Sequence, residues 1–341
     1  MDRELTSYTG CLLGLAAGDG LGQCPERLNG YLPTSAYTQL AAYGCNGLLL
    51  GLTQGQLSGT MAPPVRYIAD ALREWTALQI WELSGPVRCW ISRSDRLSYR
   101  RCPEPELLDV LMSRELGTME DHTSTLDGPG ALMTAVAVGL FFDPERLPRR
   151  EIQRLGAEGA ALTHGDPKAF LSAAALAHIL SRIVWDGERD LTGLIRETEA
   201  MLRRRFLREY HQAWTVSAKL RYTRALARSF SVGREEALTQ IRKGTALSTL
   251  LGAVYFALTA SDPAEAIEAA AAWSAPVGAV AGAVLGALRG EQALPEQWLE
   301  ELECRSVLRE LAEDMFRGCP MTLQSGAFDV EWDAKYVSPE H

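Results

Sequence analysis

Apolar residues recur along most of the chain at a spacing of three to four, which is typical of α-helices. Between residues 70 and 83, Ala71, Leu72, Trp75 and Leu78 follow this spacing. The same pattern predicts helices over 151–162, 168–183, 191–206, 211–230, 234–241, 246–258 and 264–273. No segment alternates apolar and polar residues over the length that a strand requires. The sequence therefore predicts an all-α fold.

Two of the predicted helices carry the same start signal. Asp166-Pro167 and Asp262-Pro263 each place an acidic cap before a proline at the first helical position. Three irregular segments with Gly, Pro and Asn punctuation are predicted as loops: 23–47, 84–105 and 113–130. Because no Pro-, Gly- and Ser-rich linker and no fixed-period repeat divides the chain, we expect a single domain over residues 1–341.

Composition and charge exclude several classes of protein. With 47% apolar residues the chain can fill a sizeable core. Its 34 basic and 43 acidic residues give a net charge of −9, which argues against nucleic acid as a partner but leaves room for a small anionic ligand. The seven cysteines include no CxxC pair, and this favours a reduced, cytoplasmic setting. The N-terminus lacks a signal-peptide pattern and no long charge-free apolar run is evident, so we expect no membrane partner.

Five blocks in order along the chain carry a resemblance to a known family. The first, Gly10 to Gly22, ends in Gly18-Asp19-Gly20-Leu21-Gly22. The others are Leu50 to Gln54, of which only the last two residues match, Gly128 to Ala137, Leu162 to Pro167, and the stretch from Trp273 to Gly290, which is followed by Leu294 to Trp298. Together they resemble the ADP-ribosylglycohydrolase family. The resemblance implies a compact orthogonal helical bundle, with family-like blocks from about residue 8 to 300 and a C-terminal extension over 301–341.

The resemblance also implies where catalytic magnesium would bind. Family members carry Thr-Asp-Asp-Thr-Gln and Asp-Thr-Asp-Thr runs, whose aspartates hold the metal. We match these runs to Leu50-Gly51-Leu52-Thr53-Gln54 and to Trp273-Ser274-Ala275-Pro276. Magnesium needs hard carboxylate oxygens, which none of the four matching side chains supplies. We therefore expect no magnesium cofactor, with degenerate ligand positions at Gly51, Leu52, Trp273 and Ala275.

The stretch after Trp273 predicts a close helix contact. Gly278, Gly282 and Gly286 recur every four residues, so their face is expected to pack tightly against a neighbouring helix. If the match is right, Trp273 lies at the start of that helix, buried close to both Leu52 and Asp19.

The remaining candidate site residues each have a functional and a structural interpretation. Glu26 and Asp19 are candidate catalytic carboxylates, although Glu26 could be a surface group and Asp19 a helix cap. Gly128 and Gly130 could let backbone N–H groups approach a phosphate, or could form an ordinary turn. His164 and Trp273 are candidate ligand-binding residues, and a hydrogen-bonding role within the fold is the alternative for His164.

Three functions remain open at this stage. The leading hypothesis is a pseudoenzyme that has lost dinuclear magnesium hydrolysis and keeps a cleft for an ADP-ribose-like ligand or a protein partner. The second is an active or residual hydrolase of N- or O-glycosidic bonds in ADP-ribosylated substrates, working through Glu26 and Asp19 without metal. The third is a structural or oligomeric interaction protein whose cleft is filled by Trp273.

Overall fold

The computed structural model describes residues 4–82, 86–101, 103–322, 326 and 328–337. The α-helices within these residues are α1 (Leu5–Gln23), α2 (Ala36–Ser58), α3 (Pro64–Ile80), α4 (Asp95–Ser98), α5 (Pro105–Met112), α6 (Met133–Phe141), α7 (Arg149–Ala161), α8 (Pro167–Asp186), α9 (Leu191–Phe206), α10 (Gln212–Leu226), α11 (Arg234–Ile241), α12 (Ala246–Thr259), α13 (Pro263–Trp273), α14 (Ala275–Arg289), α15 (Glu296–Glu301), α16 (Arg305–Arg317) and α17 (Val330–Tyr336). The described residues contain isolated β-bridges but no strand. The all-α prediction is confirmed.

The helix starts follow the local chemistry that the sequence indicated. α8 begins at Pro167, and the Asp166 carboxylate accepts a hydrogen bond of 2.7 Å from the backbone N–H of Lys168. α13 begins at Pro263, with Asp262 accepting from the N–H groups of Ala264 and Glu265. These carboxylates satisfy donors that lack a partner within the first helical turn.

The loop predicted over 23–47 is wrong in its second half. α2 begins at Ala36, and the Ser35 hydroxyl caps it by accepting from the N–H of Tyr37 at 3.1 Å. Nearly all residues of the first half of α2 are buried. A helix that is enclosed on every side shows no polar face, so its sequence lacks the periodic signal on which the prediction depended.

The contact between α1 and α14 places the two helix backbones against each other. A Cβ built on Gly14 would lie 2.3 Å from the carbonyl oxygen of Gly282, and one built on Gly282 would lie 1.9 Å from that of Gly14. The same approach recurs at the pairs Gly10–Gly286 and Gly18–Gly278. The helices are therefore antiparallel, and the close contact predicted for the Gly278, Gly282 and Gly286 face is confirmed.

Residues 301–337, which the sequence suggested as an extension, contribute to the same core. Leu32 donates a backbone hydrogen bond of 2.7 Å to Glu301, and α16 packs on α1 and α2. Trp332 of α17 is buried and donates to the Thr53 hydroxyl at 2.8 Å. The last four residues, 338–341, lie outside the described residues.

One helix in the described part of the chain, α8, is long and apolar enough to cross a membrane by length and composition. The sequence analysis did not identify α8 as a possible membrane-spanning helix. However, 83% of its apolar window is buried, and it packs against α6, α7 and α12. Those contacts make α8 a core helix of this fold.

Candidate functional site

Asp19 connects the end of α1 to the start of α2. Its carboxylate is fully buried and accepts from the Ser35 N–H at 2.8 Å and the Ser35 hydroxyl at 2.7 Å. It also accepts from the Thr38 hydroxyl at 2.6 Å and the Thr38 N–H at 3.3 Å. Burial raises the pKa of the Asp19 carboxyl, against the four hydrogen bonds, which lower it. Of the two interpretations left open for Asp19, the cap is the one with visible contacts: it caps α2 from a neighbouring helix.

The residues beside Asp19 correct the match proposed for the first metal-binding run. Residues 35–39 read Ser-Ala-Tyr-Thr-Gln, which fits Thr-Asp-Asp-Thr-Gln at its hydroxyl and glutamine positions. The two aspartate positions then fall on Ala36 and Tyr37. Sequence reasoning missed this segment because it was assigned to a loop.

Gly51 and Leu52 do not belong to this site. Thr38 contacts Asp19, and Leu52 lies fourteen residues further along the same helix, about 21 Å away at the helical rise per residue. A Cβ on Gly51 would lie 2.5 Å from the Tyr67 ring, so the glycine there allows α3 to approach α2. The prediction that Leu52 lies close to Asp19 is wrong, and Gly51 and Leu52 lie apart from the other positions matched to the metal site.

The second matched run, Trp273 to Pro276, leads into the start of α14. Its Trp273, however, is not enclosed in the cleft as predicted. A Cβ on Gly22 would lie 2.4 Å from the Cα of Ala275, so Ala275 lies against the end of α1. Trp273 is only partly buried and packs against Phe256 of α12 with ring centroids 6.1 Å apart. The Lys243 ammonium lies 5.0 Å from the indole centroid. Trp273 is therefore neither close to Leu52 nor a plug in the cleft.

A cavity of about 170 Å³ opens beside the start of α2. Its lining includes Tyr37, Arg101, Glu104, Gly130 and His164. A Cβ on Gly128 would lie 3.4 Å from a Glu104 carboxylate oxygen and 3.8 Å from His164 Nε2. The structure thus brings together three of the predicted ligand-binding residues, Gly128, Gly130 and His164.

Burial shifts the pKa values of three ionisable groups that line this cavity. Burial lowers the pKa of His164 to about 4, so its ring is neutral near pH 7. Burial, with Glu104 and Asp19 nearby, raises the pKa of Tyr37 to about 12. Burial and the neighbouring Glu106 and Asp127 raise the pKa of Glu104. Such shifts in a concave site are typical of ligand-binding and catalytic centres.

Two residues that line the cavity, Arg101 and Glu104, were not identified as candidates from the sequence. Glu104 precedes Pro105, a helix-start signal, and lies at the N-terminus of α5. The Arg101 guanidinium donates to Glu303 at 2.5 Å, while its buried Nε has no hydrogen-bond partner among the described residues. Glu26, in contrast, is exposed in the turn after α1, is absent from the cavity lining and makes no hydrogen bond with any described residue.

Comparisons with known proteins identify the family and the fold of the chain. The model of the family described as ADP-ribosylglycohydrolase matches residues 2–324. The chain belongs to the ADP-ribosylglycohydrolase family. Among 46 matching chains of solved structures is one titled "ADP-ribosylglycohydrolase-related protein complex", with 19% identity and a TM-score of 0.61. That match covers 93% of this chain and 99% of the other, and at this identity it shows the shared fold. A comparison with curated proteins gave no match.

The residues present do not fit the magnesium that the ADP-ribosylglycohydrolase resemblance implies. The positions matched to the four aspartates hold Ala36, Tyr37, Trp273 and Ala275, none of which carries the carboxylate that magnesium prefers, and the raised pKa of Tyr37 keeps its phenol protonated. Asp19 already accepts four hydrogen bonds. Within the described ranges, no three His, Cys, Asp or Glu side chains lie close enough together to hold a metal ion.

Proposed function

We propose that this ADP-ribosylglycohydrolase-family protein is a pseudoenzyme, which lacks metal-dependent hydrolysis and binds an ADP-ribose-like ligand in the cleft at the start of α2. The observation that carries the proposal is the donor set beside Asp19, where Ala36 and Tyr37 replace one pair of aspartates and Ala275 replaces another ligand. Dinuclear hydrolysis requires carboxylates from separate segments to converge on two ions. One buried carboxylate that caps a helix cannot replace them.

The chemistry of the cleft supports a sugar-phosphate ligand. Neutral His164 and the Tyr37 phenol can exchange hydrogen bonds with sugar hydroxyls, and the Glu104 carboxylate can accept from them. The Arg101 side chain, which lines the cleft, offers a charged group to an anionic part of the ligand. The enclosed volume of about 170 Å³ is below the roughly 300 Å³ of sites for drug-sized ligands, so one ribose would lie inside and the rest at the mouth.

The two other functions have less support. A metal-free hydrolase would need Glu26 and Asp19 to face the same substrate. Glu26 is exposed outside the cavity, and the Asp19 carboxylate is hydrogen-bonded to residues at the start of α2. Glu104, with its raised pKa, is the carboxyl that such chemistry would have to use. The hypothesis of a structural protein depended on Trp273 filling the cleft, and Trp273 packs on α12 instead.

The test combines calorimetry with an activity assay. We expect ADP-ribose to bind with the same affinity in the presence of magnesium and of a chelator, because no metal takes part. We expect no release of ADP-ribose from ADP-ribosyl-arginine or ADP-ribosyl-serine, beside an active relative assayed in parallel. Turnover that disappears in Glu104→Gln would replace the proposal with the metal-free hydrolase.

A matched pair of variants assigns the binding to the cleft. Glu104→Gln should weaken ADP-ribose binding about tenfold, because a charge-assisted hydrogen bond contributes roughly 1.5 kcal/mol. Glu115→Gln, at an exposed position outside the cavity, should leave it unchanged. Equal loss in both variants, or no ADP-ribose binding to the unmodified protein, would overturn the proposal.

A further inference from the structure

A second, larger cavity lies at the other end of α2. It encloses about 360 Å³ between α2, α3 and the C-terminal end of α17. This volume lies within the range of about 300–1,000 Å³ in which proteins bind small molecules. Leu50, Leu57 and Ala71 supply apolar surface to its lining. None of its lining residues belongs to the cleft at Asp19.

Two opposite charges face this cavity without partners. Asp70 of α3 and Arg88 of the following loop both line it. Their side chains make no hydrogen bond or ion pair with any described residue, and they are too far apart to pair with each other within 4.0 Å. Arg88 is exposed and Asp70 is half-buried, so both charges are reachable from solvent and both are available to a ligand in the cavity.

The neighbouring Glu74 holds the backbone of Arg88 beside α3. Its carboxylate accepts from the backbone N–H of Arg88 at 2.8 Å and from the Ser92 hydroxyl at 2.6 Å. The Arg88 backbone is thereby fixed to α3 through Glu74. The Arg88 guanidinium itself remains available to a ligand.

The opposite wall is also fixed in place. Tyr336 lines the cavity, donates to Asp314 at 2.8 Å and accepts from the Trp90 indole N–H at 2.9 Å. The buried Trp332 ties the same helix to Thr53. A preformed site of this kind binds a ligand without first having to order its own walls.

We propose that this cavity binds a zwitterionic α-amino acid with an apolar side chain. The ammonium group pairs with Asp70, the carboxylate pairs with Arg88, and the side chain lies on Leu50, Leu57 and Ala71. A ligand with one charge leaves either Asp70 or Arg88 unpaired, and a neutral ligand leaves both. The zwitterion satisfies the two charges at once, in a bidentate carboxylate contact that suits the arginine fork.

Thermal unfolding and calorimetry of the full chain with leucine and phenylalanine test this assignment. A ligand that binds the native state raises the melting temperature, so both amino acids should raise it at millimolar concentration. Leucinamide lacks the carboxylate and 4-methylpentanoate lacks the ammonium group. Each should bind at least about tenfold more weakly than leucine, because one charge remains unpaired.

Matched variants separate this site from the surface and from the cleft. Asp70→Asn and Arg88→Gln should each weaken leucine binding at least about tenfold, as expected for loss of a charge pair. Asp109→Asn and Arg66→Gln, at exposed positions outside the cavity, should not. Circular dichroism confirms that each variant is folded before its affinity is compared.

Three results would overturn the assignment. The first is the absence of binding by leucine and phenylalanine at millimolar concentration. The second is unchanged affinity in both Asp70→Asn and Arg88→Gln, or equal affinity for leucinamide and leucine. The third is leucine binding that is lost in Glu104→Gln, which would place the amino acid in the cleft instead.

Discussion

The α1–α14 contact and the cleft at its end follow different rules within a few residues of each other. Along the contact, three facing pairs consist of glycines, because carbonyl oxygens lie within 2.5 Å of where a Cβ would be. At the end of the contact, Ala36, Tyr37 and Ala275 occupy the positions that we match to aspartates of the family. In the first region, backbone contacts leave no room for a side chain at these glycines. In the second region, Ala36 and Tyr37 line an open cleft, where no such contact limits the side chain.

The largest effect is expected where the helices touch. Gly282→Ala places a methyl group 1.9 Å from the Gly14 carbonyl oxygen, and neither backbone can move without disturbing the pairs on either side. We expect a loss of more than about 3 kcal/mol in the free energy of unfolding, measured by chemical denaturation. Gly233→Ala is the control, because nothing lies within 4 Å of its Cβ and its φ is −70°. Equal stability of the two variants would contradict the close contact.

The link between the two regions is Asp19. Asp19→Ala removes the acceptor of four hydrogen bonds and leaves buried donors at Ser35 and Thr38 without a partner. We expect a loss of about 2–3 kcal/mol in unfolding free energy. Glu26→Ala, at the exposed carboxylate that was the other catalytic candidate, should change stability by less than about 0.5 kcal/mol. A catalytic Asp19 without a structural role would give the reverse: little loss of stability.

The burial of His164 in the cleft predicts that the stability of the protein depends on pH. The folded pKa of His164 is about 4 and its ordinary value is 6.5, so between these values the unfolded chain binds a proton that the native protein does not. Stability is therefore lost as the pH falls from about 6.5 to about 4, by about 3 kcal/mol from this residue.

His164→Gln should make that loss smaller, measured as unfolding free energy against pH. Part of the slope will remain, because burial also lowers the pKa of His178. His122→Gln, at an exposed histidine, should leave the slope unchanged. An identical slope in the His164 and His122 variants would show that His164 is not held neutral by burial.

The same contrast explains what the sequence could and could not predict. Glycines at four-residue spacing and Asp-Pro caps are local signals, so the α14 contact and the starts of α8 and α13 were predicted correctly. α2 is enclosed on nearly all sides and has no polar face, so its start at Ala36 was missed. Because of that miss, the aspartate positions were assigned to Gly51 and Leu52. The hydrogen bonds that Asp19 accepts from Ser35 and Thr38, which only the folded chain reveals, are the reason that we now match these positions to Ala36 and Tyr37.

The most direct test of the central claim is the melting temperature with and without magnesium. In the unmodified protein we expect no change on adding magnesium, because Ala36, Tyr37, Trp273 and Ala275 offer no ligand. The variant Ala36→Asp, Tyr37→Asp, Trp273→Asp, Ala275→Asp should melt lower in a chelator, because converging carboxylates repel one another, and should recover with magnesium. A magnesium-dependent rise in the unmodified protein, or a fourfold variant that ignores magnesium, would contradict the account.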